Sequence, residues 1–167
     1  MTNTAKEAIV ATANRSKVTT PAEREIRIER IFNASRDRVW KAQTDPALVA
    51  QWWGRGNKLV IEVMEVERGG HWRFVEHTDD EGAHGFEGRY AEVVPQERIQ
   101  MTFEWDGMPG HVSLVTIVLE DLGDGRTRMV ETMLFLTAED RDGMLHSGME
   151  EGMEQSLAAL DGVLARM

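Results

Sequence analysis

The 167-residue sequence predicts an α+β fold: a curved antiparallel sheet of six to seven strands wrapped around one long C-terminal helix, with two short helices after the first strand. Two observations carry this reading. From Leu59 to Leu136 the apolar residues keep strand spacing, broken by short Gly-, Asp- and Pro-containing turns. The period then changes, and Met149, Met153, Leu157, Leu160 and Leu164 follow one another at helical steps to form a single apolar stripe. Consecutive strands joined by short turns must pair antiparallel, because parallel neighbours need long crossovers. The apolar face of such a sheet needs a cover, and the last helix is the only element long enough to supply it.

In chain order, residues 1–20 are rich in Thr, Ala, Asn and Ser and are closed by Pro21. Residues 1–24 therefore read as a flexible N-terminal arm with a short extra strand around Ile9–Ala13, and residues 25–167 as a single domain. Ile26, Ile28 and Ile31–Phe32 alternate with charges as the first strand. Ser35 is placed to cap a helix over 36–44 with Val39 and Trp40 on its apolar side. Asp45-Pro46 opens a second helix, since Asp accepts from free N–H groups and Pro suits a first helical position. That helix runs through Trp52-Trp53 and stops at Gly54. Strands follow over 59–66, 71–77, 86–94, 99–105, 112–120 and 127–136, with Gly123-Asp124-Gly125 as a hairpin turn. Thr137 or Ser147 caps the C-terminal segments, with Gly143 between them, and Glu150, Glu151, Glu154 and Asp161 form the solvated face of the last helix.

Composition narrows the chemistry. The absence of cysteine excludes disulfides, thiolate metal sites and a cysteine nucleophile, and fits a reducing cytoplasm. With 29 acidic against 19 basic residues, a net charge of −10 gives no general attraction to nucleic acid or an anionic membrane. No apolar run approaches the ~20 residues that cross a bilayer. The start lacks the apolar core of a signal peptide, so the expectation is a cytoplasmic protein with neither nucleic-acid nor membrane partners.

Gly54-Arg55-Gly56 follows a helix and precedes a strand, the reverse of the dinucleotide fingerprint. No P-loop, Gly-x-Ser-x-Gly elbow or His-Glu-x-x-His occurs. Neither a metal nor a cofactor is therefore expected. Among His71, His77, His84, His111 and His146, the first two share a strand but lie about 20 Å apart at the strand rise. His84, across a turn from His77, is the nearest approach to a metal pair.

Three runs, REIRIERIFNASRDRVWKAQTDPALVAQWWG, ERGGHWRF and FEGRYAEVVPQERIQMTFEW, appear in this order. Together they resemble the START-like, or SRPBCC, superfamily over about residues 25–165, and within it the branch named after the activator of the ninety-kilodalton heat-shock chaperone's ATPase. The resemblance implies a helix-grip fold with a cavity between sheet and helix. It also implies a range of functions: carriers of lipids and hormones, polyketide cyclases and dehydratases, and chaperone-binding domains. The eukaryotic activators carry a separate N-terminal domain for much of the chaperone contact. Only about 24 residues precede the match here, which puts a chaperone partner last among the readings.

Candidate site residues follow from parity and from that cavity. Trp53 ends the second helix where family members close one end of the cavity. Trp72, Phe74 and Glu76 share one face of a strand, as do Phe86 and Tyr90, and Met101, Phe103 and Trp105. With Met149, Met153 and Leu157 of the last helix they would line an apolar pocket with few polar groups. Glu76 brings a carboxylate onto that face, where burial would raise its pKa towards acid–base duty. Glu92, Glu104 and Glu131 read as strand-end charges in solvent. The leading expectation is a small apolar or aromatic ligand in the cavity. The alternatives are a cyclase- or dehydratase-like enzyme on a ketide-like substrate and a chaperone ATPase activator. An exposed strand edge leaves a homodimer open.

Overall fold

The computed structural model describes residues 15–167, so the strand expected around Ile9–Ala13 lies outside the described residues. The chain runs β1 (Lys17–Thr19), β2 (Glu25–Phe32), α1 (Arg36–Thr44), α2 (Pro46–Trp52), β3 (Lys58–Met64), β4 (His71–Thr78), β5 (Gly82–Val94), β6 (Arg98–Trp105), β7 (Ser113–Asp121), β8 (Thr127–Phe135), α3 (Ala138–Leu145) and α4 (Met149–Arg166). Among the described residues the sheet has eight strands in the order β1-β2-β8-β7-β6-β5-β4-β3. That exceeds the expected six to seven strands, because β1, inside the segment read as an arm, pairs antiparallel with β2. The meander from β3 to β8 brings β8 back beside β2, while α1 and α2 carry the chain from one side of the sheet to the other.

Two register shifts, between Ile61 and Val63 of β3 and between Tyr90 and Glu92 of β5, bend the sheet locally. The uneven spacing of Leu59, Ile61 and Met64 in the sequence is the first of these bulges. Curvature gives the sheet a concave face, and α4 lies across it with Leu157, Leu160, Val163 and Leu164 buried. One apolar cluster joins α4 and α1 to β2, β7 and β8; a second joins α2 to β3–β6.

Caps and ends follow the sequence in part. Asp45 accepts from the Ala47 N–H at 2.9 Å ahead of Pro46. Ser35 occupies the N-cap position of α1 without a side-chain cap. Thr137 caps α3 by accepting from the Asp140 N–H. Gly143 lies within α3 rather than between the segments, and the break falls at Gly148, whose φ of +81° suits glycine and precedes α4.

The acidic side of α4 is the larger correction. Arg30, at an inward position of β2, is only 4% exposed. Its Nη1 donates to Glu154 Oε1 at 2.7 Å and Ser16 Oγ at 2.8 Å, and its Nη2 donates to Asp161 Oδ2 at 2.6 Å. Glu154 and Asp161 therefore clamp the helix to β2 instead of facing bulk water. Burial opposes ionisation of Glu154, but hydrogen bonds from Arg30 and Ser16 outweigh it and hold that carboxyl below its ordinary range. At Asp161 burial wins, and the carboxyl is pushed up.

Candidate functional site

Between α4 and the concave face lies a cavity of about 470 Å³. Trp53, Trp72, Phe74, Glu76, Phe86, Tyr90, Met101, Phe103, Trp105, Met149, Met153 and Leu157 all stand around it. Strand alternation puts Trp72, Phe74 and Glu76 on the inner face of β4, and the register opposes Phe74 to Phe86 and Tyr90 to Met101. Gly88 keeps this wall compact. A Cβ there would overlap the Thr102 carbonyl oxygen and the Trp72 indole nitrogen. Its absence lets the indole N–H of Trp72 donate to Thr102 O at 3.2 Å across β5. The Trp53 ring meets Phe74 and Phe86 edge-on, at centroid distances of 5.4 and 5.1 Å. A helical turn of about 100° would separate the two indoles of Trp52-Trp53. Trp53 has instead left the helix into extended backbone, and both rings line the cavity.

Polar groups break the apolar wall, among them Glu76, His84, Tyr90 and Glu131. Glu76 is 2% exposed, and its Oε1 accepts from Arg55 Nε (3.0 Å), Arg55 Nη2 (2.8 Å) and Asn57 Nδ2 (2.6 Å). Arg55 has a left-handed φ of +58° between Gly54 and Gly56, and its backbone N–H donates to Ser156 Oγ of α4 at 3.0 Å. Its side chain then crosses α4 so closely that a Cβ on Gly152 would lie 2.6 Å from Arg55 Cδ. The α2–β3 loop thus spans one end of the cavity, from α4 to β4.

His84 stands opposite Glu76 in the β4–β5 register and lines the same space, with Nε2 3.6 Å from Glu81 Oε2. His77 pairs with Ala83, so it faces the other side of the sheet, and the metal pair considered for His77 and His84 does not form. Among the described residues no group of three His, Asp or Glu side chains is placed to hold a metal ion. Tyr90 is buried, and burial alone pushes its phenol up to about 12.

Glu131 overturns its expected place in solvent. It sits at the centre of β8, opposite Ile28 of β2 and Ile117 of β7, on the inward face shared with Met129. It is half-buried and lines the cavity. Burial lifts its carboxyl to about 7, with no charge or hydrogen bond among the described residues acting against that rise. The other two acids are at the surface: Glu92 pairs with Arg98 at 2.7 Å, and Glu104 accepts from the Gly110 N–H. Mid-strand position and shared parity with Met129 and Met133 were the signals for Glu131 in the sequence. No comparable signal existed for Gln43 of α1, whose buried Nε2 donates to Met129 Sδ while Oε1 has no partner among the described residues.

Solved structures from several bacteria share this architecture, among them the following three. A crystal structure of a protein from Rhodobacter sphaeroides is 27% identical with a TM-score of 0.84, the match covering 92% of this chain and 99% of that one. A solution structure of a protein from Arthrobacter aurescens is 25% identical with a TM-score of 0.82, covering 90% and 92%. A crystal structure of a protein from Chromobacterium violaceum is 28% identical with a TM-score of 0.72, covering 84% and 96%. No match is found among curated proteins. No helix among the described residues is long and apolar enough to cross a membrane. Residues 33–165 match the family described as activator of Hsp90 ATPase homolog 1-like protein, and the chain belongs to that family, with its START-like helix-grip fold.

Proposed function

We propose that the protein binds a small apolar or aromatic molecule between the sheet and α4. The observation that carries this reading is the cavity of about 470 Å³ walled by Trp, Phe and Met side chains. That size lies within the range of small-molecule sites. Trp53, Phe74 and Phe86 already pack edge-on, an arrangement a flat guest can join. Met101, Met149 and Met153 supply flexible side chains that re-pack around a guest. A guest burying roughly 300 Å² of apolar surface gains roughly 7 kcal/mol, partly offset by its lost freedom, so binding in the micromolar to millimolar range is expected.

Ethylnaphthalene is a suitable probe, followed by the indole N–H resonances of Trp52, Trp53, Trp72 and Trp105. Saturable shifts, lost when Met153→Trp fills the space, support the reading. Shifts that do not saturate, or that survive the filled cavity, reject it.

Glu131 favours a second reading, a cyclase- or dehydratase-like enzyme on a ketide-like substrate. A carboxyl near 7 exchanges protons readily at neutral pH. Dehydration of a β-hydroxyacyl thioester by the wild type and not by Glu131→Gln would select this alternative. Binding without turnover would reject it.

A further inference from the structure

We propose that the molecule held in the cavity carries a protonated amine and that Glu131 is its anchor. This rests on the ligand-binding reading and names its ligand class. Of the three carboxylates that line the cavity, Glu81 is an exposed side chain beside His84, and the other two differ in one respect. Glu76 already has a cation, with Arg55 and Asn57 donating to its Oε1, so that part of the wall is neutralised. Glu131 meets no cation among the described residues. Arg30 is the next inward position on β2 beyond Ile28, the strand partner of Glu131, but its guanidinium is held by Glu154 and Asp161 of α4.

The residues flanking Glu131 in register are Ile28 and Ile117, and Gln43 and Tyr90 add no positive charge to the cavity. The ionisable pair His84 and Glu81 belongs to the β4–β5 end, beside Trp105. The result is one carboxylate without a counter-ion among the described residues, facing a cavity in which Gln43 Oε1 offers an ammonium group a second, uncharged acceptor.

A buried carboxylate lacking a cation is unfavourable in its ionised form. In the empty cavity a proton relieves this, and an ammonium group on an apolar body would relieve it instead. Such a guest displaces the proton and leaves its hydrocarbon part against the aromatic wall. The acidic balance of the whole chain, −10, also favours the approach of cations over anions.

A matched pair of probes, naphthylethylamine and ethylnaphthalene, separates this inference from the reading beneath it. Both are titrated calorimetrically into the wild-type chain and into Glu131→Gln at pH 8. The preference for the amine is expected to fall about tenfold or more in the variant, while the hydrocarbon binds both proteins alike. At pH 7 the amine is expected to release a proton from the wild type, read from heats in buffers of different ionisation enthalpy. The hydrocarbon should release none, and Glu131→Gln shows whether the release comes from Glu131. If the hydrocarbon binds but the preference is unchanged by Glu131→Gln, the amine assignment fails and the cavity reading stands. If neither probe binds, both fail. Should the variant not fold, amine binding to the wild type without proton release overturns the inference alone.

Discussion

Replacing Glu131 by Gln should make the protein more stable at alkaline pH and leave it nearly unchanged at acidic pH. Glu131 keeps its proton in the folded state up to about 7, against an ordinary value of 4.5. Between those values the native state binds the proton and the unfolded chain has released it. Stability therefore falls as pH rises through this window, by 1.36 kcal/mol for each unit of difference. The shift corresponds to about 3 kcal/mol lost by pH 8. Gln matches the protonated carboxyl in shape and never ionises. The stability difference between Glu131→Gln and wild type should thus start near zero at pH 4.5 and grow to about 3 kcal/mol in favour of the variant by pH 8. In a chain of this size that is about 6–12 °C in Tm. Urea unfolding of both proteins at matched pH values measures it, and subtraction removes every other titrating group. A difference that stays constant to within about 0.5 kcal/mol from pH 4.5 to 8 would refute the reasoning.

Two further perturbations probe the framework around the cavity. Arg30→Ala removes the cation shared by Glu154 and Asp161 and leaves two acids facing the apolar inner side of β2. A loss of about 3–5 kcal/mol is expected in equilibrium unfolding at pH 7, and a loss under 1 kcal/mol would mean that the clamp does not hold α4 to β2. Gly88→Ala places a methyl group against the Thr102 carbonyl and the Trp72 indole, so the Trp72 N–H must give up its bond across β5. Destabilisation of about 1–3 kcal/mol should accompany a shifted Trp72 indole N–H resonance, and an unmoved resonance would show that the wall does not depend on this glycine.

Much of the cavity wall was legible in residue order because strand parity is a local property. Trp72, Phe74 and Glu76 had to share one face of β4 whatever that face met, and the same holds for Met101, Phe103 and Trp105 on β6. The Met and Leu stripe of α4 was equally plain from its helical spacing. The eighth strand was not, because β1 spans three residues and is held by pairing with β2 rather than by any alternation of its own. The indoles of Trp52 and Trp53 both reach the cavity for a related reason. The chain leaves the helix between them, and helical spacing no longer separates their directions.

The charged residues mark the boundary between the two kinds of knowledge. By itself the sequence determined which side chains share a face, since alternation and helical period act between neighbours. Only the tertiary structure decided what each inward charge meets. Arg30 is closed by Glu154, 124 residues away in the chain, and Glu76 by an arginine from the loop that crosses α4. Glu131 is left without a cation among the described residues. The free energy of a buried charge depends on groups within a few ångströms, and those groups come from segments that folding brings together. Local pattern therefore established the walls of the cavity, and long-range packing set its electrostatic character.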